Sequence, residues 1–278
     1  MDIQWYPGHM KKAFRQMQED LSLIDIVIEV CDARIPRSSR NPDIESLAKN
    51  KGRIILLSKS DLADEKKTAL WLSYFKEQGT YAIASDMRTN NFIKQLNSAI
   101  DETAKEKRER DRKRGIKNRP VRAMVCGIPN SGKSTFINSY VKKAAAKTGN
   151  KPGVTKGKQW IHLAAGVDLL DTPGILYPKF DDRVTGVNLA LCGSVNDNIL
   201  NIHELSAELV RRLLPEYESE LREKYLLTAT DVYDIIREIA ENRKLLKSGG
   251  VPDEEAAARL LTDDFRKAGL GRISLETP

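Results

Sequence analysis

Apolar positions change their period along the chain, and the change divides it. Met10, Ala13, Phe14, Met17, Leu21 and Ile24 recur at helical spacing, which predicts an amphipathic helix after Pro7-Gly8. From there to residue 104 the pattern turns to short apolar runs, IDIVIEVCDA, RIILLS and YAIAS, with a charged helical stretch, EKKTALWLSYFKEQG, before the last. Strands separated by helices predict a mostly parallel α/β sheet with helices on both faces. The pattern resumes over 121–190. There VRAMVCGIP reads as a strand and turn, STFINSY as a helix, and WIHLAAGVDLLDTPG as a hairpin running into a loop.

After about residue 195 the strand signals stop. Ile202, Leu205, Leu209 and Leu213 share one helical face. Val232, Ile235, Ile236 and Ile239 share another, behind an N-cap at Asp231. Asp253 opens a third helix, with Ala256, Ala257, Leu260, Leu261 and Phe265 inward and Gly269 as its stop. The expectation is an α/β domain over 1–190 followed by a small all-helical domain over 195–278.

Charge adds a third region. Residues 105–122, KEKRERDRKRGIKNRPVR, hold ten Lys/Arg against three Asp/Glu, an excess equal to the net +7 of all 278 residues. The stretch is either a solvated helix and linker or a contact for nucleic-acid phosphates, and charge alone does not choose. No apolar run approaches the ~18 residues a membrane span needs. The opening MDIQWYPGHMKK lacks a signal core, so a cytoplasmic protein is expected. Cys31, Cys126 and Cys192 lack metal-ligand spacing and read as small core residues in a reducing compartment.

The strongest chemical signal is Gly127-Ile-Pro-Asn-Ser-Gly-Lys-Ser134, a full GxxxxGK[ST] between a strand and a helix. Its glycines let backbone N–H groups wrap phosphates, Lys133 reaches the outer phosphates, and the Ser134 hydroxyl suits Mg²⁺. The nucleotide-binding residues predicted here are Asn130, Ser131, Gly132, Lys133, Ser134 and Thr135. Downstream, Asp171-Thr-Pro-Gly174 follows an apolar strand. A carboxylate there would hold the Mg²⁺ shell, and the Gly174 N–H would meet the γ-phosphate. Between them Thr155, on the Gly-led loop PGVT, is a candidate to complete Mg²⁺ coordination and to serve catalysis.

These signals give meaning to LLSKSDLAD at 56–64. Ser58-Lys59-Ser60-Asp61 is similar to the guanine-reading NKxD signature of GTPases, with Ser in place of Asn. Asp61 would accept from guanine N1–H and the exocyclic amine, a pair that adenine lacks, while Lys59 lies along the base. Ser58 is too short to do all that Asn does, which predicts guanine preference with several-fold weaker affinity. Ser85 in YAIAS is the candidate companion loop for the guanine oxygen.

The base reader thus precedes the phosphate loop by about seventy residues, the reverse of the ordinary order. The same sheet results if the chain is cut elsewhere and the old ends are joined, the basic stretch being the join. This circular permutation is allowed because native termini lie at the surface and close together. It sets the switch loops directly upstream of the helical module, so a γ-phosphate-dependent shift at Asp171–Gly174 is expected to pull on that module.

The order of motifs, the opening WYPGHM, the DARIPRSSRNP after the first strand and the closing GRISLE resemble the YlqF/RbgA family of circularly permuted GTPases, which assist assembly of the large ribosomal subunit. The resemblance implies a permuted P-loop GTPase domain and a helical RNA-binding domain acting on a pre-ribosomal (50S) particle. It implies GTP/GDP and Mg²⁺, hydrolysis stimulated by the particle and coupled to release, and rRNA as a partner. No DNA or membrane partner and a monomeric state are expected. Two other readings are a GTP-sensing RNA-binding scaffold with negligible turnover and a GTPase acting on tRNA.

The position after DTPG, where a Ras-like site has Gln, holds Ile175 and then Leu176, which cannot orient water. His9 is the leading candidate, on its own chemistry and on the resemblance; the alternative is a capping or packed histidine. Asn130 is a candidate potassium ligand. In the helical part Arg211, Arg212, Arg237, Arg243, Lys244 and Lys247 are candidate phosphate contacts, and Arg34 belongs either to RNA contact or to the architecture around the switches.

Overall fold

The computed structural model describes residues 8–116, 119–144, 159–163, 166–176 and 182–278. The first half alternates as the apolar pattern requires: α1 (Gly8–Asp20), β1 (Ile26–Asp32), α2 (Pro42–Leu47), β2 (Gly52–Ser58), α3 (Glu65–Glu77), β3 (Tyr81–Ser85) and α4 (Phe92–Thr103). The basic stretch forms α5 (Lys105–Lys113). Then follow β4 (Val121–Gly127), α6 (Lys133–Ala144), β5 (Gln159–Leu163), β6 (Val167–Asp171) and α7 (Arg183–Leu191). The C-terminal part is helical: α8 (Ile202–Leu213), α9 (Glu218–Tyr225), α10 (Val232–Asn242) and α11 (Glu254–Arg266).

Among the described residues six strands make one sheet in the order β3-β2-β1-β4-β6-β5, with only β5 antiparallel. The chain runs outward from β1 to β3, then returns to the other flank of β1 with β4. The reversal leaves a crevice at the carboxyl ends of β1 and β4, where ligands of doubly wound sheets bind. Both faces of the central strands are covered, and β1 is buried along its whole length. On one face Ile28, Val30, Leu56 and Val125 pack with Phe92 and Leu96 of α4 and Phe136 of α6. On the other, Trp71 and Phe75 of α3 cover Ile55 and Leu57.

The helical part does not build a core apart. One apolar cluster runs from Met10 and Met17 of α1, through Val27, Met124 and Leu170 of the sheet and Val187 of α7, into Leu205, Ile236, Leu261 and Phe265. The closing segment also returns to the sheet: Ile273 N–H donates to the Leu62 carbonyl (3.1 Å) and Leu275 N–H to that of Arg34 (2.9 Å). At the end of α11 the left-handed residue is Ala268 (φ +57°), one position before the expected glycine stop. Gly269 instead lies against the Asp264 side chain, whose Oδ1 would be 2.5 Å from an added Cβ.

The basic join sits away from the crevice. Lys107, buried, donates to the Pro120 carbonyl (3.0 Å) just before β4 and pairs with Asp25 (3.4 Å) just before β1. That anchors α5 at the amino ends of the strands. Arg110, Arg112, Lys113 and Arg114 are exposed, and none is in an ion pair among the described residues.

Candidate nucleotide site

The phosphate loop leaves β4 at Gly127 and enters α6 at Lys133, so the loop leads directly into a helix N-terminus, a ready anion site. Two glycines make the close packing possible. A Cβ on Gly127 would lie 2.6 Å from the Val30 carbonyl oxygen, and one on Gly174 would lie 3.2 Å from the Pro129 backbone. Gly132 has φ +94°, which an L side chain rarely adopts. The Ile175 N–H donates to the Gly127 carbonyl (3.0 Å), so the DTPG segment is laid on the phosphate loop by its backbone. Thr172 Oγ1 fixes the same segment to the Val125 carbonyl (2.8 Å).

Lys133 Nζ stands 2.5 Å from Asp171 Oδ1, with both side chains buried. Ser134 and Thr135, in the first turn of α6, are exposed. A buried carboxylate and, next in the chain to the lysine that meets it, an exposed hydroxyl are hard oxygen donors of the kind Mg²⁺ takes with substrate phosphates, so the residues present fit that ion. Thr155 lies outside the described residues. Ile175 and Leu176 are buried in the large apolar cluster and present no polar group to the site. His9 is the second residue of α1, and its side chain lies outside what is described.

The base-reading residues reach the same crevice from β2. Ser58 Oγ is within hydrogen-bonding reach of the carbonyls of Cys31 (2.9 Å) and Ser131, and its single proton goes to one at a time. The short side chain therefore does span to the phosphate loop, because the Gly132 turn brings that loop within 3.1–3.3 Å of Ser58 measured from an added Cβ. Lys59 holds a left-handed conformation (φ +55°), and its Nζ donates both to Asp32 Oδ2 (2.8 Å) and to the Asn130 carbonyl (2.5 Å). Asn130 is left-handed too (φ +58°), and its side-chain amide donates to the Gly193 carbonyl (2.6 Å). Ser85 pairs in register with Ser58 at the ends of β3 and β2, and its hydroxyl donates to the Asp86 carbonyl (3.3 Å).

Sequence reasoning missed three groups here. Arg88 donates to Asp61 Oδ2 (2.7 Å) and forks onto Asp86 (2.8–3.0 Å), holding the carboxylate expected to select the base beside the β3 loop. The Arg88 hydrogen bond draws the Asp86 pKa below the ordinary carboxylate value. Asp32, 1% exposed, accepts from Lys59 and, through both oxygens, from Arg34 (3.0 and 2.8 Å). Burial alone would raise its pKa, but the Arg34 and Lys59 charges outweigh it and hold Asp32 well below the usual range. Arg272 donates to the carbonyls of Ser60 (2.9 Å) and Ala63 (2.8 Å), bracing the base-reading loop from the chain's far end. The DAR tripeptide carried a signal for the second group. Arg272 lies in the closing GRISLE, and nothing local marks Arg88.

The family described as 50S ribosome-binding GTPase matches residues 122–244, a stretch that begins at β4 and leaves out Ser58–Asp61. Similarity to whole proteins covers both halves of the site. Ribosome biogenesis GTPase A of Priestia megaterium is 45% identical over 100% of this chain and 98% of its own length. That of Thermotoga maritima is 35% identical over 99% and 95%. Among solved structures, the GDP-bound structure of TM YlqF superposes with TM-score 0.72 at 31% identity, covering 95% of this chain and 99% of that one. GNP-bound YlqF from T. maritima gives 0.66, also at 31%, covering 96% and 98%. With both halves of a guanine-nucleotide site at one crevice and likeness along the full length, the chain is a GTPase and belongs to the YlqF/RbgA family, the ribosome biogenesis GTPases A.

Proposed function

We propose that this chain hydrolyses GTP on the immature large ribosomal subunit, that the particle stimulates hydrolysis, and that hydrolysis times release. The observation that carries this reading is full-length similarity to ribosome biogenesis GTPases A, base reader, phosphate loop and helical part included. In the proposed site Lys133 neutralises charge on the outer phosphates, and Asp171, Ser134 and Thr155 hold Mg²⁺. The bound ion would neutralise charge building on the phosphate oxygens. Asp61 selects guanine, and Lys59 lines the base.

The residues after DTPG are committed to the core, so the attacking water needs another partner, and His9 is assigned to it. Phosphate contacts to rRNA are assigned first to α5, whose outer cations are unpaired. In the helical part, Arg211 and Arg212 are held by Glu208, Arg237 by Glu241 and Lys247 by Asp253, which leaves Arg243 and Lys244, both exposed, as the second candidates.

Phosphate release with and without purified large subunits tests the reading. Turnover alone is expected at about 10⁻⁴–10⁻² s⁻¹, rising steeply with the particle, and His9→Ala is expected to abolish most of the rise. Unchanged turnover on adding large subunits would refute the assignment.

A further inference from the structure

Two loops that meet the nucleotide are tied to the C-terminal helices by side chains. Arg34, 2% exposed, binds Asp32 on one side. On the other its Nη1 donates to the Arg266 carbonyl at the end of α11 (3.3 Å), and its guanidinium lies 5.2 Å from the centre of the Phe265 ring. The Arg266 side chain then crosses to the segment after α7. It donates to the carbonyls of Leu191 (2.9 Å) and Ala190 (2.8 Å) and forks onto Asp197 (2.7 and 2.8 Å). That segment carries Gly193, whose carbonyl accepts from Asn130 in the phosphate loop.

The bonds close a circuit: Lys59, Asp32, Arg34, α11, Arg266, the 190–197 segment, Asn130, and back to Lys59 through the Asn130 carbonyl. Its two members at the nucleotide, Lys59 and Asn130, are both left-handed, as is Gly193 opposite Asn130. Such a conformation costs about 1–2 kcal/mol for a residue with a side chain, and it persists where surroundings over-determine it. The circuit supplies that determination. It is not packed solid: a cavity of about 470 Å³ is lined by Arg34, Lys59, Asn130, Cys192, Gly193 and Arg266, among others, so its members have room to shift.

We propose that Arg266 is a positioning residue for nucleotide binding, and that α11 controls nucleotide release by holding Lys59 and Asn130 through this circuit. A partner that displaces α11 then acts as an exchange factor. By linkage, nucleotide changes the affinity for that partner by the same factor. This route differs from a pull transmitted through Asp171–Gly174. It rests on guanine-nucleotide binding by the chain and is independent of which particle the helices meet.

The test is dissociation of fluorescent GDP by stopped flow. Arg266→Ala is expected to speed release about five- to twentyfold, within the range of coupled sites. Arg266→Lys should restore little, because an ammonium cannot reproduce the guanidinium fork. Ile239→Ala, a truncation in the α10 core away from the circuit, lowers stability and should leave the rate within twofold. A folded Arg266→Ala with the wild-type rate, or an equal acceleration in Ile239→Ala, overturns the proposal. If Arg266→Ala does not fold, hydrogen exchange on the wild type decides: saturating GDP is expected to protect 190–197 and 264–270. Unchanged exchange in both segments overturns it.

Discussion

The two halves of the nucleotide site are built in opposite ways. The phosphate half is held mostly by backbone at close approach: Gly127, Gly132 and Gly174 admit close contacts, and the Ile175 N–H closes on the Gly127 carbonyl. The base half is held by charged side chains: Asp32 on Lys59, Arg88 on Asp61, Arg272 on the Ser60 carbonyl. A backbone cradle resists displacement more than a set of side-chain bonds, which moves when its anchors move. The helical part can therefore act on the base half through Lys59 and Arg272, and on the phosphate loop through the Asn130 side chain.

This contrast can be broken most severely at Asp32. Asp32→Ala leaves Arg34 and Lys59 without their common partner, and losing one member of a buried ion pair costs about 3–5 kcal/mol. Chemical denaturation should show that loss; a cost below about 1 kcal/mol would mean that the pair is not what holds the base half. The same group has a pH signature. Because its folded pKa is depressed, its contribution is complete above about pH 4, the unfolded carboxylate value, and is lost as pH falls below that. Asp32→Asn should lack that part of the acid sensitivity.

Lys133→Ala tests the phosphate half. Removal of one preorganised cationic donor is expected to lower GTP turnover about 10²–10³-fold, measured by phosphate release, and, because it breaks the buried pair with Asp171, to lower the melting temperature as well. Ser58→Ala removes one neutral hydrogen bond between the halves, worth about 0.5–1.5 kcal/mol, and should weaken GDP binding about two- to tenfold by titration calorimetry. Arg88→Ala sits at the bottom of the scale. Its pairs are largely exposed and worth about 0–1 kcal/mol, so GDP affinity should change less than about fivefold.

The same contrast explains what the sequence could and could not disclose. The phosphate loop and DTPG are contiguous motifs whose residue types follow from phosphate chemistry, and the apolar runs that became β1, β2, β3 and β4 are as long as buried strands must be. α4 was legible as well, since Phe92, Ile93, Leu96, Ala99 and Ile100 fall on one helical face. α9 was not: only Leu221 and Tyr225 are buried, too few to set a period. Ser58 looked too short because the approach of the Gly132 turn is a property of the fold. Arg266 and Gly193 carried no signal, because an arginine that caps distant carbonyls has the same local sequence as one in solvent; Arg272 stands in the closing GRISLE, which marks the segment but not its role.

The claim underlying all of this is that Asp61, which precedes the phosphate loop in the chain, reads the base of the nucleotide that Lys133 binds. The direct test is nucleotide preference of Asp61→Asn against the wild type, by competition among GTP, ATP and XTP. Xanthine carries a carbonyl where guanine carries the exocyclic amine, so an amide at 61 can donate to it while a carboxylate cannot. The wild type is expected to prefer GTP, and Asp61→Asn to lose roughly ten- to a hundredfold in GTP affinity while gaining XTP. Unaltered GTP preference in Asp61→Asn would contradict the account.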